Sequence, residues 1–199
     1  MTTFLLIRHA AHDLLGRVLA GRASDVHLNA RGKMEAERLG ERLERFHCQA
    51  IHTGPLERAQ ETAWPAAGAL GLDPQINSAF DEIDFGRWTS QTFAQLEHDP
   101  EWKRWNASRS QAQPPGGETM GAVQSRVVAG LEELARAAPG ACVAVVSHGD
   151  VIKAALMHYL GIPLDFILRL EVGPASLSIL ELREGNPRIL AINESGALV

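Results

Sequence analysis

The sequence predicts an α/β fold: a three-layer sandwich with a mostly parallel central sheet flanked by helices. Three observations lead there. Residues 4–7 and 141–146 are short, fully apolar runs, and only strands covered on both faces tolerate continuous apolar sequence. Segments with apolar residues three and four apart lie between them, and strands alternating with helices build layered α/β domains. Arginine or histidine follows each run within two residues, as Arg8-His9 and as Ser147-His148. In open α/β sheets, ligands bind at the carboxyl ends of strands. The 199 residues suffice for one domain with a sizeable core, and 1–199 reads as a single domain.

Taken in order, the first strand ends at Arg8 and His9. A guanidinium beside an imidazole suits a phosphate, with arginine as a bidentate clamp and histidine as nucleophile or base. A long loop over residues 10–28 follows, and long loops inside compact domains are often functional. Asn29 reads as the N-cap of a helix whose inner face carries Ala36, Leu39, Leu43 and Phe46. Residues 49–53 form a second short strand. Pro55 suits the first turn of the next helix, which places Arg58 near that strand's end and breaks near Pro65 or Gly71. Residues 79–88 read as extended chain, with Phe80, Glu82 and Asp84 on one side and Asp81, Ile83 and Phe85 on the other. A carboxyl group among apolar residues has its pKa pushed upward, as a general acid requires.

Residues 92–109 read as short helices, in which Trp102 and Trp105 pack or roof a pocket. A Pro-Pro-Gly-Gly loop then opens a long helix to about residue 137, striped by Val123, Val127, Leu131 and Leu134. Glu118 near its start suits the helix dipole. The run at 141–146 is the central strand, followed by His148 and a helix through Val151, Ala155 and Tyr159. Residues 175–182 and 188–192 form a hairpin turning at residues 184–187.

Composition narrows the function. The formal charge of −5 argues against nucleic-acid partners, which require a basic face. Cys48 and Cys142 have neither metal spacing nor a disulfide framework, so each is expected to be a buried free thiol in a reducing compartment. No segment approaches the roughly 20 apolar residues of a membrane span, and Arg8 interrupts any signal-peptide core. The expectation is a cytoplasmic protein whose partner is a small phosphorylated substrate, with no membrane partner and with a homodimer left open.

Arg8, His9, Arg58 and His148 thus fall at strand ends, and Glu82 follows another extended piece. Convergence of these groups points to phosphoryl transfer. In the same order, five segments resemble the signatures of the histidine phosphatase superfamily, which includes the cofactor-dependent phosphoglycerate mutases. Leu-Ile-Arg8-His9-Ala10 resembles its Arg-His-Gly. The segment Gly54-Pro55-Leu56-Glu57-Arg58-Ala59-Gln60-Glu61-Thr62 is similar to its Ser-Pro-Leu-x-Arg-Ala-x-x-Thr. Glu82 to Trp88 matches Glu-x-x-x-Gly-x-Trp, Gly116-Gly117-Glu118-Thr119 resembles Gly-Gly-Glu-Ser, and Ser147-His148-Gly149 matches Ser-His-Gly.

The resemblance implies a phosphoglycerate mutase-like fold and a role for each matched residue. His9 is the nucleophile. Arg8, Arg58 and His148 hold the phosphoryl oxygens. Glu82 protonates the leaving oxygen and then activates water. Neither metal nor cofactor is expected, since arginines and a protonated histidine supply the positive charge, and activity is expected to follow pH as a bell.

The sequence departs from the family at three points. Ala10 replaces the usual glycine. His12 and Leu15 stand where threonine and asparagine often bind phosphate, so His12, Arg17 or Arg22 is expected to complete the pocket. The stretch from Gly21 to Asp25 is one residue longer than usual. The segment from Trp88 to Gly116 is short and only mildly basic, which favours a phosphomonoester hydrolase over a mutase-type phosphoryl transfer. A catalytically weak phospholigand-binding protein is the third reading.

Overall fold

The computed structural model describes residues 1–183 and 185–195, and six of its strands form one sheet: β1 (Thr2–Arg8), β2 (Ala50–Thr53), β3 (Gln75–Ile76), β4 (Cys142–Ser147), β5 (Leu177–Leu182) and β6 (Arg188–Glu194). The strand order is β3-β2-β4-β1-β5-β6. The first four are parallel, while β5 and β6 are antiparallel additions. In β1, alternate side chains enter different cores: Phe4 and Leu6 on one face, Leu5 and Ile7 on the other. Val143 and Val145 of β4 follow Phe4 and Leu6, and Ala144 and Val146 follow Leu5 and Ile7. Burial on both faces explains the unbroken apolar runs of these central strands.

One layer holds α1 (Ala30–Glu44) and α2 (Glu57–Leu70), which bury Leu39, Leu43, Ala59 and Ala63 against the sheet. The opposite layer holds α5 (Met120–Ala137) and α6 (Gly149–Leu160), with Val123, Val127 and Leu131 as the inner stripe of α5. Two short helices, α3 (Phe93–Leu96) and α4 (Pro100–Ala107), lie above the sheet's carboxyl end. The fold class is the one expected. Asn29 is the N-cap of α1, its side chain accepting from the Gly32 N–H at 2.9 Å.

Several local expectations change. Leu56 rather than Pro55 borders α2, and Pro65 lies inside that helix, which runs on to a left-handed Gly71 cap. The short edge strand β3 carries exposed residues and has no periodic signal. Residues 79–88 are not a plain extended chain. 3₁₀ turns at Ser78–Phe80 and Gly86–Trp88 reset the side-chain phase, so Phe80 joins Ile83, Phe85 and Trp88 in one core. Trp105 is wholly buried in that core, whereas Trp102 is half-buried. The two cysteines are free and half-buried rather than buried, and their sulfurs lie 3.6 Å apart. β5 and β6 form the expected hairpin, although Glu184 of its turn lies outside the described residues. Among the described residues, no helix is long and apolar enough to cross a membrane.

Candidate active site

β1 and β4 pair in parallel with Arg8 opposite Ser147. The residues that follow, His9 and His148, therefore leave the sheet side by side. Their ring centroids are 5.1 Å apart, and both are almost wholly buried. The His9 N–H donates to the Ser147 carbonyl at 2.9 Å, extending the ladder by one residue and holding the imidazole at the sheet's edge. His9 Nδ1 lies 2.9 Å from the Ala10 carbonyl. A carbonyl only accepts, so Nδ1 carries the proton and Nε2 presents its lone pair.

Two arginines flank this pair. Arg8 donates through Nη1 to the Val172 carbonyl at 2.7 Å, and Arg58 donates through Nη2 to the Gly21 carbonyl at 2.6 Å. Each is thus anchored at one corner. Arg8 Nε, Arg58 Nε and Nη1, and both ring nitrogens of His148 are buried without a hydrogen-bond partner among the described residues. Buried polar groups are nearly always paired, and leaving a charged donor unpaired is more costly still. Several such donors at one strand-end crevice make a site whose chemistry suits an anion.

Glu82 closes the other side. Its Oε2 is 3.5 Å from His148 Nδ1 and 3.9 Å from Arg58 Nη2, and its Oε1 accepts from the Ile83 N–H at 3.0 Å. Burial raises its pKa from 4.5 to about 7, against the opposing pull of Arg58 and the Ile83 N–H. Burial, then Arg58 and Arg8, hold His9 well below the ordinary imidazole value. Burial and the neighbouring His9 and Arg58 do the same to His148. Both histidines are neutral at pH 7 without a ligand, and a bound dianion would draw a proton onto His148. Arg8, His9, Arg58 and Glu82 border a cleft of about 180 Å³, which is the scale of one phosphoryl group and its neighbouring atoms. Among the described residues no cluster of side chains could hold a metal ion.

A family model, the histidine phosphatase superfamily (branch 1), matches residues 4–195. The chain belongs to the histidine phosphatase superfamily. It is 34% identical to a bifunctional protein of Mycobacterium tuberculosis over 99% of this chain and 55% of that protein, so it spans about half the length of that relative. It is 31% identical to phosphoserine phosphatase 1 of Hydrogenobacter thermophilus, covering 97% of this chain and 92% of that one. Among solved structures, Bacillus stearothermophilus YhfR superposes with a TM-score of 0.91 at 26% identity, covering 98% of each chain.

In this member of the superfamily, Arg8, His9, Arg58, Glu82 and His12 all line the cleft, and His148 stands behind it against His9. The His12 ring is 5.2 Å from that of His9. Its Nδ1 accepts from the Leu14 N–H at 3.3 Å, leaving Nε2–H as a donor, and its pKa is lowered to about 4 by burial and the two arginines. Arg17 and Arg22 do not reach the cleft. Arg17 is exposed, and its backbone pairs with Leu14 and Phe93. Arg22 turns behind Glu82, donating to the Glu82 carbonyl at 2.7 Å and meeting Asp81 at 3.2 Å and Glu118 at 2.9 Å.

Ala10 does not narrow the site. Its φ is not positive, and its methyl packs with Leu28, Ala36 and Ala175. Leu15 lines the cleft and offers no hydrogen bond.

Positioning residues missed in the sequence are Thr62 and Arg126. Thr62 Oγ1 accepts from the Ala10 N–H at 2.9 Å and donates to the Arg58 carbonyl at 2.7 Å, tying the His9 and Arg58 segments together. The Thr in the second matched segment was the available signal. Arg126 donates to the carbonyls of Ala79, Asp81 and Glu82 at 2.9, 2.8 and 3.1 Å, and pairs with Glu118. It pins the Glu82 segment to α5, and Glu118 thus does more than complement a helix dipole. No local pattern marks Arg126, since it looks like one more polar residue on a helix. At Gly54 a Cβ would meet the Phe80 carbonyl at 2.7 Å, so the loop after β2 can pass beneath the Glu82 segment only without a side chain.

Proposed function

We propose that this histidine phosphatase hydrolyses a small phosphomonoester through a phosphohistidine on His9. The observation that carries the reading is the set of buried cationic donors without partners around an imidazole whose Nε2 lone pair is free. A phosphoryl group satisfies those donors, and they match the charge that its oxygens carry in the transition state.

His9 Nε2 attacks phosphorus and the bond from phosphorus to the ester oxygen breaks. Glu82, protonated because burial lifts its pKa to about 7, gives its proton to the departing alkoxide. Water then attacks the phosphohistidine and returns a proton to Glu82, the phosphorus–nitrogen bond breaks, and neutral His9 is restored. Such acid–base assistance contributes about 10²- to 10⁴-fold. The phosphoserine phosphatase of Hydrogenobacter supports a small metabolite as substrate, as does the small size of the cleft.

The test is incubation with an aryl phosphate and, separately, with 3-phosphoglycerate plus 2,3-bisphosphoglycerate. Phosphate release with acid-labile, base-stable protein phosphorylation, both abolished in His9→Ala, is the expected result. Isomerisation without release would replace hydrolysis by mutase-type transfer. Ligand binding with neither reaction would leave a binding protein.

A further inference from the structure

A second cavity opens from the phosphate cleft. It measures about 290 Å³ and shares Arg8, Leu19, Glu82 and Phe93 with that cleft. Glu82 is a wall of both, so an oxygen protonated by Glu82 sits at their junction. The rest of a leaving group then extends into the second cavity. Its apolar side is built by Phe85, Phe93, Trp102 and Leu168, flat or broad surfaces that suit a planar apolar body.

The polar side differs in how far each group is engaged. Arg109 donates through Nη1 to Asp150 at 2.9 Å and through Nη2 to Asn106 at 2.8 Å, and its guanidinium lies 4.6 Å from the Trp105 ring centroid. Asn106 donates in turn to the Trp102 carbonyl. Lys153 has no such partner. It is only 9% exposed, its nearest carboxylate oxygen is that of Asp150 at 3.9 Å, and among the described residues no acceptor lies within hydrogen-bond distance of its ammonium. Asp150 is already matched by Arg109, so the three charges sum to a single positive one, placed on a buried group with unengaged donors.

We propose that this cavity is the leaving-group subsite and that Lys153 selects phosphomonoesters whose leaving group has a flat apolar body ending in a carboxylate. The inference rests on the phosphatase reading, because Glu82 serves as the marker of the leaving oxygen. A carboxylate would meet the Lys153 donors and neutralise the local charge, and the aromatic walls would cover the body.

Benzylphosphonate and 4-carboxybenzylphosphonate, which cannot be hydrolysed and differ only in the carboxylate, are the probes. Calorimetric titration at pH 7 is expected to show about tenfold tighter binding of the carboxylated ligand. Lys153→Met is expected to bring the ratio of the two dissociation constants close to one, and Lys153→Arg, which keeps the charge, to preserve most of it. Thermal melts confirm that each variant folds. Phosphate release from phenyl phosphate and 4-carboxyphenyl phosphate is followed in parallel. Equal affinities in the wild type, or a preference that survives Lys153→Met, overturns the subsite and leaves hydrolysis standing. A preference without phosphate release from either ester overturns the phosphatase reading and leaves the subsite. Failure of both phosphonates to bind overturns the two together.

Discussion

Glu82→Gln separates the proton-transfer role proposed for this residue from its place in the fold. The Glu82 carboxyl has a pKa of about 7, so about 90% of it is protonated at pH 6 and about 10% at pH 8. An alkyl phosphate leaves as an alkoxide that needs this proton, whereas 4-nitrophenolate departs without one. The variant is therefore expected to lose about 10²- to 10⁴-fold in kcat/KM on an alkyl phosphate and far less on 4-nitrophenyl phosphate. On the aryl ester the second step also lacks its base, so a stoichiometric burst of nitrophenolate precedes a slow steady state.

Stability follows the same group. A pKa raised on folding stabilises the protein fully below the unfolded value of 4.5, and that contribution is lost as pH climbs through the folded value of about 7. The full span corresponds to about 3 kcal/mol, of which roughly 2 kcal/mol falls between pH 5 and pH 8. Glutamine has no charge to bury, so urea titrations should show the variant gaining about that much on the wild type across this window. Equal kinetic losses on both esters, together with stabilities that stay parallel in pH, would refute the assignment of Glu82 as a buried acid.

Other expectations concern the surrounding machinery. In the wild type, kcat/KM on an alkyl phosphate should fall about tenfold per pH unit above pH 7 as Glu82 ionises, while the loss from protonating His9 should lie well below pH 6.5, since burial and two arginines depress that imidazole. The expected bell is thus broad on its acid side, and a pH–rate profile with a limb at 6.5 arising from His9 would contradict this. Arg58→Lys should cost about 10²-fold in kcat/KM, because one ammonium cannot hold the Gly21 carbonyl and fork onto a phosphoryl group at once. Thr62→Val should lower stability by about 1–3 kcal/mol in chemical denaturation, since the buried Ala10 N–H and Arg58 carbonyl lose a shared partner. Leu39→Ala, in the core beneath α1, should cost about 2–5 kcal/mol in the same assay and leave KM unmoved.

The central strands were legible because β1 and β4 are buried on both faces and run unbroken through apolar residues, Phe4 to Ile7 and Cys142 to Val146. His9, Arg8 and His148 were legible for the same reason, since a charged residue that follows a buried strand can lie only at the rim of the sheet, and Arg58 was legible from the helix that starts just beyond β2. Glu82 was legible by its apolar neighbours, although the side-chain phase read around it was wrong. The 3₁₀ turns that flank it move Phe80 to the side of Ile83, and no two-residue period reports such a turn. Trp102 and Trp105 shared one helical spacing, yet only Trp102 faces a cavity. Which of two aromatic residues three positions apart is covered depends on α3, α6 and the loop around them, which local sequence does not describe.

By itself, then, the sequence determined the layered α/β class and the strand-end positions of the candidate site groups, because burial periodicity and the end of each strand are local properties. The tertiary structure decided what depends on distant segments meeting. It turned Arg22 behind Glu82 rather than into the cleft, left Arg17 in solvent, and tied Ala10 to Arg58 through Thr62. It also set the Lys153 ammonium, unengaged, in a cavity beside the His9 cleft. Loop conformation and long-range hydrogen bonding set those outcomes, and neither has a period that a sequence can show.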